Sequence, residues 1–260
     1  MSYLADLHIH STFSDGKLSI PEIVDFYGPR GFGAIAITDH LCETESLGGI
    51  AARFIGHTLT PGIFPLYLEM IRTEAARAVE QYNMILIPGF ELSKNNLLND
   101  RSAHIVGLGV DRFIHADADV RDLCRAIRAQ GALAIAAHPV STRKIEKQTY
   151  HLWNRRKELA QELDAWEVAS GPYLFSEVWK SGLPMIATSD LHVPRQIQAW
   201  KTVFSCERHP EAILQAIRKQ DLEYKFYREN LRHGDSADLC GMESDHERTR
   251  LEHLAHPQAV

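Results

Sequence analysis

Short apolar runs that end on a histidine or an acid recur along the chain, and they restrict the fold more than any other feature. Leu4 to His10, Ala34 to Thr38, Met84 to Pro88, Ala103 to Gly109, Leu133 to Ala137, Ala165 to Ala169 and Leu183 to Thr188 all read as strands. Runs such as Ala34-Ile35-Ala36-Ile37 are apolar at every position, as expected of strands covered on both faces of a parallel sheet. Helical stretches lie between them. Ser19-Ile20-Pro21-Glu22 has a capping serine, a proline in the first turn and an acid three residues after the serine. Leu66 to Tyr82, Asp117 to Gln130, Lys147 to Leu163 and Pro210 to Gln220 also read as helices. This alternation predicts an α/β fold built on a parallel sheet with helical crossovers. A length of 260 residues suits one α/β barrel, although an open doubly wound sheet would give a similar string.

Two stretches stand apart. Residues 41–65 hold Gly48-Gly49, Gly56 and Pro61-Gly62, and read as an irregular rim insertion or lid. Residues 232–260 are polar, mixed in charge and without apolar period, and read as a weakly ordered tail after a domain spanning 1–231. The net charge of −6 argues against a bulk nucleic-acid binder. The four cysteines form no Cys-x-x-Cys pair, and neither a signal peptide nor an apolar run of the roughly 18 residues of a membrane span is visible. The expected location is cytoplasmic.

The unusual residue is histidine, with 14 copies. His8 and His10 alternate with Leu7 and Ile9, so a strand would turn both imidazoles to one face, with Asp15-Gly16 close behind. His40 closes the second strand, Glu91 follows the third, His104 lies on the fourth, His138 closes the fifth, and Asp190 and His192 follow the seventh. Each has a structural explanation on its own: Glu91 as a first-turn acid, His104 as a satisfied core histidine, His138-Pro139 as a turn. Their recurrence at strand ends points instead to one rim, where barrels assemble sites from several strands. Nitrogen and oxygen donors without thiolate suit Zn²⁺, Mn²⁺ or Fe²⁺. Arg143 and Arg195 follow the His138 and His192 segments, and their forked donors make them candidates to bind an anion at that rim. Asp6 and Asp39 are expected to orient histidines rather than bind metal.

His8-x-His10 with Asp15-Gly16, Thr38-Asp39-His40, Gly89-x-Glu91, His104, Ala137-His138-Pro139 and Ser189-Asp190-x-His192 together resemble the PHP family, the polymerase and histidinol phosphatase domain. The resemblance covers about residues 4 to 205. It implies a distorted, TIM-like (β/α)7 barrel with two or three divalent metal ions at the C-terminal rim of the strands. Carried over residue by residue, it implies one metal on His8, His10, Glu91 and Asp190. A second would sit on Glu91, His104 and His138, and a third on Asp15, His40 and His192. Asp15 stands where some members have histidine.

The expected activity is phosphomonoester hydrolysis of a small phosphorylated metabolite or nucleotide, by attack of a metal-bridging hydroxide on phosphorus. Asp190, His192, Arg143 and Arg195 are the expected catalytic residues. The alternatives are a histidinol-phosphate phosphatase, a DNA exonuclease or phosphodiesterase, and a non-catalytic metal-binding module. An amidohydrolase of the deacetylase type also uses His-x-His, but usually with a lysine bridge, where this chain has Glu91.

Overall fold

All seven strand runs fold as strands in a computed structural model that describes residues 1–44, 46–95, 101–140 and 149–229. The chain runs β1 (Tyr3–Asp6), α1 (Ile20–Tyr27), β2 (Ala34–Ile37), β3 (His40–Cys42), α2 (Leu47–Phe54), α3 (Phe64–Tyr82), β4 (Ile85–Lys94) and β5 (Ala103–Leu108). It continues through α4 (Val120–Arg128), β6 (Leu133–Ala136), α5 (Tyr150–Asn154), α6 (Arg156–Leu159), β7 (Ala165–Ser170), β8 (Tyr173–Leu174) and α7 (Ser176–Trp179). The last elements are β9 (Met185–Thr188), β10 (Trp200–Phe204), α8 (Pro210–Lys219) and β11 (Glu223–Phe226).

The sheet curls into a distorted, TIM-like barrel in the order β1, β2, β4, β5, β6, β7, β9. Its two ends meet at the rim. His10 N–H donates to Leu191 O at 2.8 Å, and Leu191 N–H donates to His8 O at 3.2 Å. Farther down, β10 lies antiparallel to β1, and its Thr202 hydroxyl donates to Ala187 O of β9 at 2.8 Å.

The sheet is not wholly parallel, which corrects the sequence expectation. β5 runs antiparallel to both β4 and β6. The cause is length: β4 ends at Lys94 and β5 starts at Ala103, fewer than the roughly dozen residues a parallel crossover takes. The reversal matters for His104. It sits at the start of β5, and only an antiparallel β5 brings that start to the rim where the neighbouring strands end.

Strand alternation divides the core into two layers. Ile35 and Ile37 of β2 pack outward with Tyr27 of α1, while Ala34 and Ala36 face the barrel interior with Leu7, Ile87 and Ile135. Ile213 and Ile217 of α8 join that interior layer, at the end of the barrel away from His104. The capping box of α1 forms as the sequence predicts, with the Glu22 carboxylate accepting from Ser19 N–H at 2.8 Å.

Residues 41–65 are more regular than their glycines suggest. They form β3, which pairs in parallel with β4, and the eight-residue helix α2. Ser46 caps α2 by accepting from Gly49 N–H at 3.0 Å, a signal hidden by the glycine pair. The tail at 232–260 lies outside the described residues.

Candidate metal centre

The rim gathers side chains from six strands, β1, β2, β4, β5, β6 and β9, around Glu91. Its position follows from register: Glu91 of β4 pairs with His40 of β3, and Ser93, on the same face, pairs with His104 of β5. Glu91 Oε1 lies 2.9 Å from His104 Nδ1 and 3.2 Å from His138 Nε2. Its Oε2 lies 2.7 Å from His40 Nδ1, yet no donor among the described residues is aligned to satisfy it, because that nitrogen is also 2.8 Å from the Ser93 hydroxyl. A fully buried carboxylate oxygen without a donor is costly, and a cation would remove that cost.

His8 and His10 are both fully buried and point Nε2 at Nε2, 3.1 Å apart. Asp190 Oδ1 is 3.6 Å from His8 Nε2 and 3.4 Å from His10 Nε2. Asp15 Oδ1 lies 3.2 Å from His192 Nε2, 3.6 Å from His40 Nε2 and 3.8 Å from His10 Nδ1. Three groups of donor atoms are therefore close enough to share an ion: His8, His10 and Glu91; Glu91, His104 and His138; and His10, Asp15, His40 and His192. The facing imidazole nitrogens, the orphaned Glu91 oxygen and the all-nitrogen-and-oxygen donor set fit divalent cations.

The backbone is bent to deliver two of these groups. Asp190 has φ of 52° and His138 has φ of 27°, both in the left-handed region that non-glycine residues avoid. Such strain persists only where neighbouring structure holds it, and it concentrates at functional sites. The loop carrying Asp15 turns so tightly that a Cβ on Gly16 would lie 2.1 Å from His10 O, so glycine is required there.

Asp6 and Asp39 hold backbone rather than imidazole rings, unlike the sequence expectation. Asp39 accepts from Ser11 N–H at 2.8 Å and from the Ser11 and Ser14 hydroxyls at 2.6 and 2.5 Å, which fixes the loop that bears Asp15. Asp6 accepts from Ser189 N–H at 3.0 Å, from the Ser189 and Tyr27 hydroxyls at 2.6 Å, and from the buried Lys201 ammonium. It thereby fixes the turn that bears Asp190.

Glu167 was not legible as a site residue. It is fully buried on β7, and its Oε1 is 2.7 Å from His8 Nδ1 while its Oε2 accepts from His138 N–H at 2.6 Å. The available signal was one charge inside the apolar run Ala165 to Ala169, since a buried charge requires partners.

Charges in this rim oppose burial. Desolvation disfavours protonation of His8, yet the carboxylates of Glu167, Asp190 and Glu91 outweigh it and hold the imidazole well above its ordinary range. His10 goes the other way, to about 3, through burial and the neighbouring His192 and His40. Burial also works against His192, but Asp190 and Asp15 raise it to about 9. Burial works against ionisation of Glu91 and Asp190, and the surrounding histidines reverse that and hold both carboxyls well below the usual range.

Above these groups opens a cleft of about 390 Å³. Asp15, His40, His138, Asp190 and His192 form its floor, with Asn95 and His57 at its side. Helix α2 roofs it with Gly48, Ala51 and Ala52, whose small side chains leave room below, while Leu47, Ile50 and Phe54 are exposed on its far face. Arg195 is exposed on a short 3-10 turn, Pro194–Ile197, after His192 and does not line the cleft. Arg143 lies outside the described residues. No helix among those described is long and apolar enough to cross a membrane.

Residues 6–108 match the PHP domain model. A 3',5'-nucleoside bisphosphate phosphatase of Chromobacterium violaceum is 32% identical over 106 residues, 41% of this chain and 27% of that protein. A phosphoribosyl 1,2-cyclic phosphate 1,2-diphosphodiesterase of Eggerthella lenta is 28% identical over 108 residues, 42% of this chain and 31% of that one. A 5'-3' exoribonuclease of Haemophilus influenzae is 33% identical over 130 residues, 50% of this chain and 37% of that one. The match thus spans about a third of each curated relative. Among solved structures, a two-domain protein of Bacteroides vulgatus, described as containing a predicted PHP-like metal-dependent phosphoesterase, superposes with a TM-score of 0.65 at 23% identity. That superposition covers 87% of this chain and 65% of the other, and it is evidence of shared fold. The segment that matches the PHP domain model carries His8, His10, Asp15, His40, Glu91 and His104.

Proposed function

We propose that this protein is a metal-dependent phosphoesterase acting on a small phosphorylated metabolite or nucleotide. The observation that carries the reading is the grouping of nine nitrogen- and oxygen-donor residues, Glu91 with its orphaned Oε2 among them, beneath a cleft that seven of them line. His8, His10, Glu91 and Asp190 would hold one ion, Glu91, His104 and His138 a second, and Asp15, His40 and His192 a third, with His10 close to it as well. Zn²⁺, Mn²⁺ and Fe²⁺ all suit that donor set. Such ions would polarise a phosphoryl oxygen and lower the pKa of a bound water.

The chain's own contribution is placement. Three carboxylates only partly offset the charge of two or three divalent ions, so the floor attracts a phosphate dianion. Asp190 and His192 belong to that floor and would meet the reacting phosphate. Gly48, Ala51 and Ala52 leave space for the organic half of the substrate, and α2 limits water from above. Arg195, three residues past His192, would meet only the outer part of a substrate. His10→Ala in purified protein is expected to abolish metal-stimulated phosphate release from p-nitrophenyl phosphate, and unchanged turnover would overturn the assignment.

One observation favours a second reading. The exoribonuclease relative has the longest aligned stretch of the three, 130 residues. A nuclease would shorten 5'-labelled single-stranded RNA processively. A phosphomonoesterase would leave the chain length unchanged and release phosphate from a nucleoside bisphosphate.

A further inference from the structure

We infer that Glu167 is the positioning residue that couples the two inner metal positions, resting on the metal-dependent reading above. It contacts neither the cleft nor any proposed ion. Its two oxygens divide their work. Oε1 lies 2.7 Å from His8 Nδ1 and accepts from the Thr188 hydroxyl at 2.7 Å, while Oε2 accepts from His138 N–H at 2.6 Å. His8 belongs to the first donor group and His138 to the second. The side chain is fully buried, so these bonds are unscreened by water.

Each bond has a distinct consequence. A carboxylate at Nδ1 of His8 keeps the ring proton on that nitrogen, so the Nε2 lone pair is the one aimed at His10, Glu91 and Asp190. The bond to His138 N–H holds a residue whose φ of 27° is otherwise disfavoured, and whose Nε2 reaches Glu91 at 3.2 Å. Glu167 also sits beside a register shift in the β7–β9 pairing, between Glu167 and Ala169, and the Thr188 it binds ends β9 just before Ser189-Asp190. One side chain thereby sets the tautomer of one donor and the backbone of another. Asp15, His40 and His192, the outer group, make no described contact with it.

Glu167→Gln is a close test because it keeps shape and removes charge. Glutamine offers one oxygen and one NH₂, but both carboxylate oxygens of Glu167 face donors. If the NH₂ meets His8 Nδ1, the ring must place its proton on Nε2 and block the metal-facing lone pair. If it meets His138 N–H, two donors collide at the bent turn.

The experiment is calorimetric titration of chelator-stripped, full-length protein with Mn²⁺, alongside thermal melting of the metal-free form. Wild type is expected to take up ions at two tight positions and at a third. In Glu167→Gln the two tight positions should weaken by roughly 10–100-fold, the usual effect of losing an outer partner of a ligating histidine, with the third within twofold. Thr188→Val, which removes a single donor and retains shape, should weaken the same two positions by a smaller factor and serves if Glu167→Gln does not fold. Equal weakening at all positions, or none at the inner two, would overturn the inference. Wild-type protein that takes up no metal would overturn the metal reading together with it, so the two failures are distinguishable.

Discussion

The inner and outer halves of the rim use the same residue types in different settings. The side chains of His8, His10 and Glu91 are 0%, 0% and 1% exposed, whereas those of Asp15, His40 and His192 are 33%, 16% and 25% exposed. The inner half is fixed by buried partners that belong to no donor group: Glu167 on His8, Thr149 at 3.2 Å from His138 Nδ1, and Asp6 on the Ser189 turn. In the outer half, His40 opens β3, but Asp15 and His192 hang on loops. Asp15 is held through the serines on Asp39, and His192 through its N–H donated to Gln196 Oε1 at 2.7 Å. The difference teaches that His8, His10 and Glu91 are held in place away from water, while Asp15, His40 and His192 are the donors that water reaches most from the cleft. A group that water can reach can also respond to substrate and to pH.

The largest expected effect breaks the inner half at its hub. Glu91→Gln should lower kcat/KM by at least ~10³-fold, the upper end of what losing one stabilising donor costs, because Glu91 takes part in two donor groups. Inductively coupled plasma analysis should show both inner ions lost. Next comes the support beneath it. Lys201→Met leaves the Asp6 carboxylate buried without its cation and should cost about 3–5 kcal/mol of stability, read from urea unfolding of the metal-free protein. A smaller loss would mean that Tyr27 and Ser189 satisfy Asp6 by themselves. Asp15→Asn strikes only the outer half. Losing a charge-assisted contact of about 1.5–3 kcal/mol corresponds to roughly 10–100-fold in rate. The inner ions should remain, and a loss as deep as that of Glu91→Gln would erase the distinction between the two halves.

The same contrast governs what the sequence could reveal. Thr38-Asp39-His40, Ala137-His138-Pro139 and Ser189-Asp190-x-His192 are legible because an apolar strand must end somewhere, and polar groups at that end recur in several elements. The α/β class is legible for the same reason. Direction is not written in apolar periodicity, so the reversal of β5 was missed, although its eight-residue connection was a sufficient clue. Helix α2 was missed because Gly48-Gly49 lowers helix propensity, while the Ser46 cap and the close approach of buried Gly49 to Glu43 O sustain it. Glu167 escaped because its role depends on distant partners, His8 and His138, that only barrel closure brings to β7. Asp6 and Asp39 were read as supports of histidine rings and instead support turns, a difference that only side-chain direction decides.

The smallest effect is the most direct probe of the outer half. In metal-free protein His192 is held at about 9, against an ordinary value of 6.5, by Asp190 and Asp15 acting against burial. A folded-state value above the unfolded one means that the protonated ring stabilises the fold. That contribution is fully present below pH 6.5 and is lost as pH rises through about 9. Urea unfolding in chelator should therefore show stability falling between those limits, and because His8, His40 and His138 are raised as well, the slope should lessen but not vanish in His192→Gln. The inner half predicts a different response to metal. Once ions occupy the rim they take the place of the proton, since a ligating imidazole must be neutral, and the slope between pH 6.5 and 9 should shrink when Mn²⁺ is added. A slope that persists unchanged with metal would place the titrating group elsewhere and leave His192 outside the outer donor group.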